Sequence, residues 1–142
     1  MVDIAHQNSL RLTFLINDLL DMEKLLAGKM HFDMQVQSLM PPLEQSISDI
    51  QSYARQRMIR LTLNGITDEI SVNVDLQRLQ QIMANLLSNA AKFSPEGGVV
   101  EVTVSCGGTT ARVEVKDSGP GIPAVFHEHI FQKFAQADAS DT

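Results

Sequence analysis

The sequence predicts an α/β two-layer sandwich preceded by a long bundle-forming helix. Three observations lead to this fold class: a heptad-like apolar pattern near the start of the chain, alternating strand-like and helix-like segments after it, and a loop rich in glycine and proline after the last strand-like segment. Strands and helices mixed within one chain of 142 residues favour helices packed on one face of a sheet. A chain of this size can bury about two-thirds of its unfolded surface.

Composition and charge restrict the classes of partner. The hydrophobic fraction of 44% and the charged fraction of 20% are ordinary for a soluble globular domain. The net charge of −6 argues against a nucleic-acid partner, because phosphate binding requires a basic surface. The single cysteine, Cys106, excludes an internal disulfide. No apolar run approaches the roughly 20 residues that cross a bilayer, so we expect a cytoplasmic segment without membrane contact.

The first segment, residues 1–28, is predicted to be a helix that packs in an intermolecular bundle. Its apolar residues recur at spacings of 3 and 4, which form the seam of a coiled coil: Leu12, Leu15, Leu19, Met22 and Leu26. Gly28 is suited to end this helix. The alternative is that the helix folds back onto the rest of the chain. Since the later segments look self-sufficient, we expect a homodimer formed through this helix.

The remaining residues, 29–142, are predicted to form the sandwich. Alternating apolar residues predict strands, apolar residues at helical spacing predict helices, and glycine or proline separates them. The second helix of the sandwich has Asp75 as its N-cap. The predicted elements are, in order, a strand at Met30–Gln37, a helix from Pro41 to Met58, strands at Ile59–Leu63 and Val72–Val74, a helix at Asp75–Lys92, a hairpin of Val99–Ser105 with Ala111–Lys116, and a short helix around Phe126–Ala135 anchored by Phe131 and Phe134.

The helix from Asp75 to Lys92 has two faces of different character. Its predicted core face consists of Leu79, Ile82, Met83, Leu86 and Ala90. Asn85, Asn89 and Lys92 share a neighbouring face. Asparagine is a mediocre helix former, so the pair indicates either plain solvent exposure or a site. In a site, an amide oxygen is a suitable ligand for Mg²⁺, and a lysine supplies a charge for phosphate.

The loop after the last predicted strand combines an acid with glycines and prolines. In "VEVKDSGPGIP", Asp117 ends the strand, and Gly119 and Gly121 let the backbone approach another molecule closely. A shaped loop beside an acid indicates a ligand. The run also matches the dinucleotide pattern G-x-G-x-x-G/A, but no second strand ending in an acid follows it, so that interpretation fails. His127 and His129 do not share a helical face, which argues against a zinc site there.

These segments resemble the catalytic half of a sensor histidine kinase, over nearly the whole chain. "RLTFLINDLLDMEKLLAGKM" is similar to the second helix of that family's dimerisation and phosphotransfer hairpin. "LQQIMANLLSNAAKFSPEGG" resembles its asparagine box, "KDSGPGIP" its first glycine box, and "HIFQKFAQAD" its phenylalanine box in a form common among hybrid kinases. Four motifs in the family's order and spacing make the resemblance highly specific. It implies a truncated ATPase-type catalytic domain over residues 29–142.

The resemblance implies a role for each site residue. Asp117 would accept a hydrogen bond from the adenine amino group of ATP, with Gly119 and Gly121 clearing room for the ring. Asn89 would be the Mg²⁺ ligand with Asn85 beside it, and Lys92 would reach the phosphates. Gyrase-type relatives carry a glutamate at the position of Asn85. An asparagine cannot act as a general base there, so ATP would be held for transfer rather than hydrolysis.

The chain also departs from the family pattern. No histidine lies in an H-E-x-x-[ST]-P context, and Thr142 comes before the second glycine-rich box that forms the ATP lid. We therefore expect a fragment that does not phosphorylate itself and that binds ATP more weakly than a complete domain. Its expected partners are ATP and, through the parent protein, the receiver domain of a response regulator. The alternatives are a degenerate dimerisation or scaffold module and a serine-kinase anti-sigma factor, against which the bundle helix argues.

Overall fold

The computed structural model describes residues 2–65, 68–132 and 135. The chain divides into two compact units, residues 1–34 and residues 35–142. Among the described residues, none of the helices combines the length and apolar character needed to cross a membrane.

The first unit contains one long helix, α1, at Val2–Leu26. Its end is a Schellman motif, in which the amide of Lys29 donates to the Lys24 carbonyl and the amide of Gly28 donates to the Leu25 carbonyl. Gly28 has φ of 68°, which confirms its predicted role as the helix terminator. The seam residues Leu12, Leu15, Leu19 and Leu26 are exposed. The long N-terminal helix is confirmed, and its packing in a bundle stays a prediction.

The second unit contains two helices, two small sheets and a 3₁₀ segment. The elements are β1 (Gln35–Ser38), α2 (Met40–Gln56), β2 (Arg60–Gly65), β3 (Ser71–Val74), α3 (Leu76–Phe93), β4 (Val99–Gly107), β5 (Thr110–Lys116) and η1 (Ala124–His129). Strands β1 and β3 pair antiparallel. In the other sheet, of order β2-β4-β5, β2 runs parallel to β4 and β4 antiparallel to β5.

The core lies between the two helices and one face of the three-stranded sheet. Val100, Val102 and Val104 alternate along β4 and are buried, together with Leu43 of α2 and Leu87 of α3. The residues between them on β4 face the other way, where Glu101 lies opposite Lys116 of β5. One apolar face and one polar face confirm the predicted two-layer sandwich.

Two predictions about individual elements are wrong in part. The strand predicted from Met30 begins only at Gln35, because its partner β3 offers just four residues for pairing. The predicted core face of α3 is displaced: Ile82 and Leu86 are 55% and 47% exposed. Met83 and Ala90 are buried as predicted, and Leu87 and Ala91 are buried in place of the two exposed residues. The arc centred on Leu87 is the one that packs against both α2 and the sheet.

The C-terminal segment also differs from the prediction. A helix was predicted around Phe126–Ala135, whereas the described structure is a 3₁₀ segment that buries none of its own residues. Phe131 is 96% exposed and is not an anchor. A 3₁₀ segment stacks its side chains at i and i+3 and offers no broad apolar face. Phe134, the second predicted anchor, lies outside the described residues.

The end of α2 contains a methionine where glycine is usual. The helix was predicted to extend to Met58, but it ends at Gln56 and Met58 has φ of 56°. The amide of Ile59 donates to the Ala54 carbonyl and that of Met58 to the Arg55 carbonyl, again a Schellman motif. Met58 is 66% exposed, so its side chain contributes little burial in return for this conformation.

We expect Met58→Gly to stabilise the chain by about 1 kcal/mol, because glycine has no Cβ to strain a left-handed backbone. Met58→Ala retains the Cβ and serves as the control, with no comparable gain. Urea denaturation followed by circular dichroism measures both free energies of unfolding. Equal stability of Met58→Gly and the parent chain would contradict the assignment of strain to this residue.

Candidate functional site

The loop after β5 is held by the side chain of its own first residue. Asp117 directly follows Lys116, the last residue of β5. One carboxylate oxygen, Oδ1, accepts a hydrogen bond of 2.9 Å from the Gly119 amide. This local bond fixes the turn, as aspartate side chains commonly do. Asp117 is exposed, so its carboxylate can accept a further hydrogen bond from a ligand.

Two serines fasten the same loop to the fold. The Ser118 hydroxyl donates to the Val99 carbonyl at 2.7 Å and accepts from the Val99 amide at 3.1 Å. The Ser118 amide donates to Oγ of Ser94 at 3.2 Å, and Ser94 is only 3% exposed. Sequence reasoning missed both serines. The signal that could have found them is their position, because Ser94 directly follows α3 and Ser118 directly follows Asp117.

The two glycines of the loop are required for different reasons. A Cβ added to Gly119 would lie 2.7 Å from the Phe93 carbonyl oxygen, so no larger residue fits without a backbone shift. Gly121 has φ of 80°, and a Cβ there would meet nothing within 4 Å. Gly119 is therefore required by the close approach of α3, whereas Gly121 is required by its backbone conformation.

Helix α3 presents the two predicted asparagines to solvent. Its N-cap is Asp75, whose carboxylate accepts from the Arg78 amide at 3.1 Å, as predicted. Asn85 and Asn89 are both exposed. Phe93, the last residue of α3, contacts Gly119, and Asn89 lies four residues earlier, about 6 Å along the axis. The structure thus brings Asn89 and the Asp117 loop to the same end of α3, with Asn85 a further turn away.

Lys92 and Phe93 complete this end of the helix, and two further apolar residues lie earlier on α3. Lys92 is half-buried, with its ammonium nitrogen 5.3 Å from the centre of the Phe93 ring. Ile82 and Leu86 lie three residues before Asn85 and Asn89, on a neighbouring part of the helix surface. They are exposed, and so is Phe93. Sequence reasoning had assigned the first two to the core. A surface that combines apolar side chains, amide oxygens and a carboxylate suits a flat heteroaromatic ring that carries a polar group.

A separate groove of about 370 Å³ lies at the opposite, N-terminal end of α3. It is lined by Gln37, Ser38, Pro41, Pro42, Gln45, Leu76 and Gln80. None of the predicted site residues lines it. Its polar groups are neutral amides and a hydroxyl, which provide no charge for a metal or a phosphate, so it is not the candidate site.

The chain is similar to a known ATPase family and to named histidine kinases. Residues 74–142 match the family described as histidine kinase-, DNA gyrase B-, and HSP90-like ATPase. The chain is 39% identical over 143 residues to the circadian input-output histidine kinase CikA of Synechococcus elongatus, covering 98% of this chain and 19% of the relative. It is 38% identical over 133 residues to the signal transduction histidine-protein kinase BarA of Escherichia coli K12, covering 89% of this chain and 14% of the relative.

Solved structures of histidine kinases have the same fold. Full-length ShkA in complex with AMPPNP matches with a TM-score of 0.81 and 29% identity, over 90% of this chain and 28% of that one. The nucleotide-free catalytic domain of ThkA matches with a TM-score of 0.72 and 25% identity, over 78% of this chain and 73% of that one. The chain spans less than a fifth of the length of either CikA or BarA. Residues 74–142 therefore match the histidine kinase-, DNA gyrase B- and HSP90-like ATPase family, and the chain has the catalytic-domain fold of the histidine kinases.

Proposed function

We propose that this chain is the ATP-binding catalytic module of a sensor histidine kinase, residues 29–142, joined to the second helix of the dimerisation hairpin, residues 1–28. The module holds ATP between α3 and the loop that begins at Asp117 and presents the γ-phosphate to a histidine. The observation that carries the proposal is the contact of Gly119 and Ser118 with Phe93 and Ser94. It joins an acid loop to the end of a helix that bears two exposed asparagines.

Adenine recognition is assigned to the Asp117 loop. The Gly119 amide occupies Oδ1 of Asp117, which leaves Oδ2 to accept a hydrogen bond from the adenine amino group. Gly119 and Gly121 keep the loop free of side chains, so the base can lie against the backbone. The solved ShkA complex contains AMPPNP, an adenine nucleotide, which supports this assignment.

The residues on α3 fit a magnesium ion. Among the described residues there is no cluster of three or more histidine, cysteine or acidic side chains that could hold a metal by itself. Mg²⁺ needs no such cluster, because it is commonly held by one or two protein oxygens, waters and substrate phosphates. Asn89 would supply the protein ligand, with Asn85 next to it and Lys92 directed to the phosphates. When bound, the ion neutralises charge on the transferring phosphoryl group.

The proposed reaction is transfer and not hydrolysis. Asn85 carries an amide, which has no basic lone pair at neutral pH and does not activate water. The residues of this chain therefore bind and orient ATP, and the attacking nitrogen belongs to the acceptor histidine. We place that histidine outside these 142 residues, since none of the four here has the H-E-x-x-[ST]-P context. Onward transfer would reach a receiver domain through the parent protein, and the exposed seam of α1 would form the homodimer.

Calorimetry tests the nucleotide site directly. We expect saturable binding of ATP in Mg²⁺, and Asn89→Ala should weaken it by about tenfold, the usual cost of losing a contact that orients a metal. In EDTA the two chains should bind ATP almost equally, because the lost interaction passes through the ion. Asn73→Ala, at an exposed asparagine on β3, is the matched control and should bind like the parent chain.

Two results would count against the proposal. If the parent chain binds no ATP at millimolar concentration, the module is a scaffold. If Asn89→Ala weakens binding equally with and without Mg²⁺, Asn89 does not act through the metal.

A further inference from the structure

Arg57 joins the two helices of the sandwich at the end that carries the candidate site. It is the C-cap residue of α2. Its guanidinium donates two hydrogen bonds to α3, from Nε to the Ala91 carbonyl at 3.1 Å and from Nη2 to the Lys92 carbonyl at 2.8 Å. Both carbonyls lie in the last turn of α3, where backbone acceptors have no partner within the helix. Arg57 therefore caps the end of α3 from a different element.

Charge and geometry both favour this contact. The carbonyl end of a helix carries partial negative charge, so a cation there is stabilising. The planar guanidinium holds its donors in a rigid fork that fits two acceptors, whereas an ammonium group is a compact charge on a flexible chain. The centre of the Tyr53 ring on α2 lies 5.9 Å from the guanidinium carbon, within the range of a cation–π contact. Next along the chain, the Met58 carbonyl accepts from the Gly97 amide at 3.1 Å, which ties the same turn to the segment after α3.

The capped turn leads directly to the loop that is proposed to bind adenine. Ala91 and Lys92 precede Phe93, whose carbonyl packs against Gly119, and Ser94, whose hydroxyl accepts from the Ser118 amide. A shift of the last turn of α3 would therefore move the surface on which Ser118 and Gly119 rest. No step of this connection depends on contact between Arg57 and a ligand.

We infer that Arg57 is a positioning residue for the nucleotide site: it fixes the last turn of α3 and, through Ser94 and Phe93, the loop that begins at Asp117. The functional half of this inference rests on the proposed ATP binding. The structural half, the placement of the loop, stands without it.

Arg57→Ala tests the inference, with Arg55→Ala as the matched control. Arg55 lies in the last turn of α2 and is exposed. Its replacement by alanine removes the same charge as Arg57→Ala. ATP affinity is measured by calorimetry, and amide hydrogen exchange by NMR, under conditions where circular dichroism shows every variant folded. We expect Arg57→Ala to weaken ATP binding by about three- to tenfold, the size of a favourable helix-end cation contact. Arg55→Ala should bind ATP like the parent chain.

Hydrogen exchange separates positioning from general destabilisation. In Arg57→Ala the Ser118 amide should exchange several-fold faster, while the Val102 amide in the core of β4 changes little. Arg57→Lys, which keeps the charge but loses the planar fork, should restore part of both effects. If Arg57→Ala does not fold, Arg57→Gln, with an uncharged amide in place of the guanidinium, takes its place.

Three results overturn the inference: unchanged ATP affinity in Arg57→Ala, equal acceleration of the Ser118 and Val102 amides, or an equal loss of affinity in Arg55→Ala. If the parent chain itself binds no ATP, the proposed function fails, and the exchange comparison alone decides whether Arg57 positions the loop.

Discussion

Asp117→Asn is expected to weaken ATP binding by about ten- to a hundredfold, the effect of losing a hydrogen bond to a charged acceptor. The substitution isolates the ligand contact. An asparagine Oδ1 can still accept the hydrogen bond that the Gly119 amide makes to Asp117. The loop therefore keeps its turn. An amide NH₂ group replaces Oδ2, however, so that two hydrogen-bond donors, this group and the adenine amino group, face each other.

Inosine triphosphate makes this test specific for the base. Its ring carries a carbonyl oxygen where adenine has the amino group, so the parent chain should bind it much more weakly than ATP. Asp117→Asn should remove most of that preference, since its NH₂ group donates to the inosine carbonyl. Glu114→Gln is the control: Glu114 lies on β5, is exposed, and pairs with Arg112 at 3.2 Å. Calorimetry that finds an unchanged preference for ATP in Asp117→Asn would exclude this carboxylate as the adenine acceptor.

Gly119→Ala is expected to lower the free energy of unfolding by about 1 to 3 kcal/mol, the usual cost of inserting a group into a packed site. The new Cβ would lie 2.7 Å from the Phe93 carbonyl oxygen and 3.2 Å from Oδ1 of Asp117. Since the first of these neighbours is backbone, the loop and the end of α3 must separate. ATP binding should fall by more than tenfold, because the acid and the asparagines then no longer meet at one end of the helix.

Gly107→Ala is the matched control for this substitution. Its Cβ would meet nothing within 4 Å, so its stability should stay within about 0.5 kcal/mol of the parent chain. Urea denaturation gives both free energies, and calorimetry gives the affinities. If Gly119→Ala has the stability and ATP affinity of the parent chain, neither property requires the close approach of the loop to α3.

The architecture of the sandwich follows from sequence periodicity, but the rotation of a helix does not. On α3 two overlapping arcs, one through Ile82 and Leu86 and one through Met83 and Leu87, are both apolar. The pattern alone does not decide which of them is buried. Packing against α2 and the sheet selects the arc of Met83 and Leu87, and the other arc stays beside the asparagines. An apolar arc left exposed next to polar site residues is what a binding surface requires.

The candidate site can be proposed from the sequence because its residues break local rules. Asparagines inside a helix and closely spaced glycines after an acid each raise the conformational free energy of the folded chain locally. Such unfavourable choices concentrate at functional sites. The residues that hold the site together gave no comparable signal. Ser118 reaches Val99 across 19 positions, and Arg57 reaches Lys92 across 35. Hydrogen bonds between such distant positions depend on the assembled fold and not on a local pattern.

The measurement that tests the central claim most directly is NMR of the chain with ATP and Mn²⁺, which accepts the same oxygen ligands as Mg²⁺. Paramagnetic broadening falls steeply with distance from the ion. If α3 and the loop together hold a metal-bound adenine nucleotide, the strongest broadening should fall on the side-chain amides of Asn89 and Asn85. ATP alone should shift the amides of Ser118, Gly119 and Gly121. Broadening centred at the other end of α3, or shifts that leave the Asp117 loop unchanged, would contradict a nucleotide site between the two.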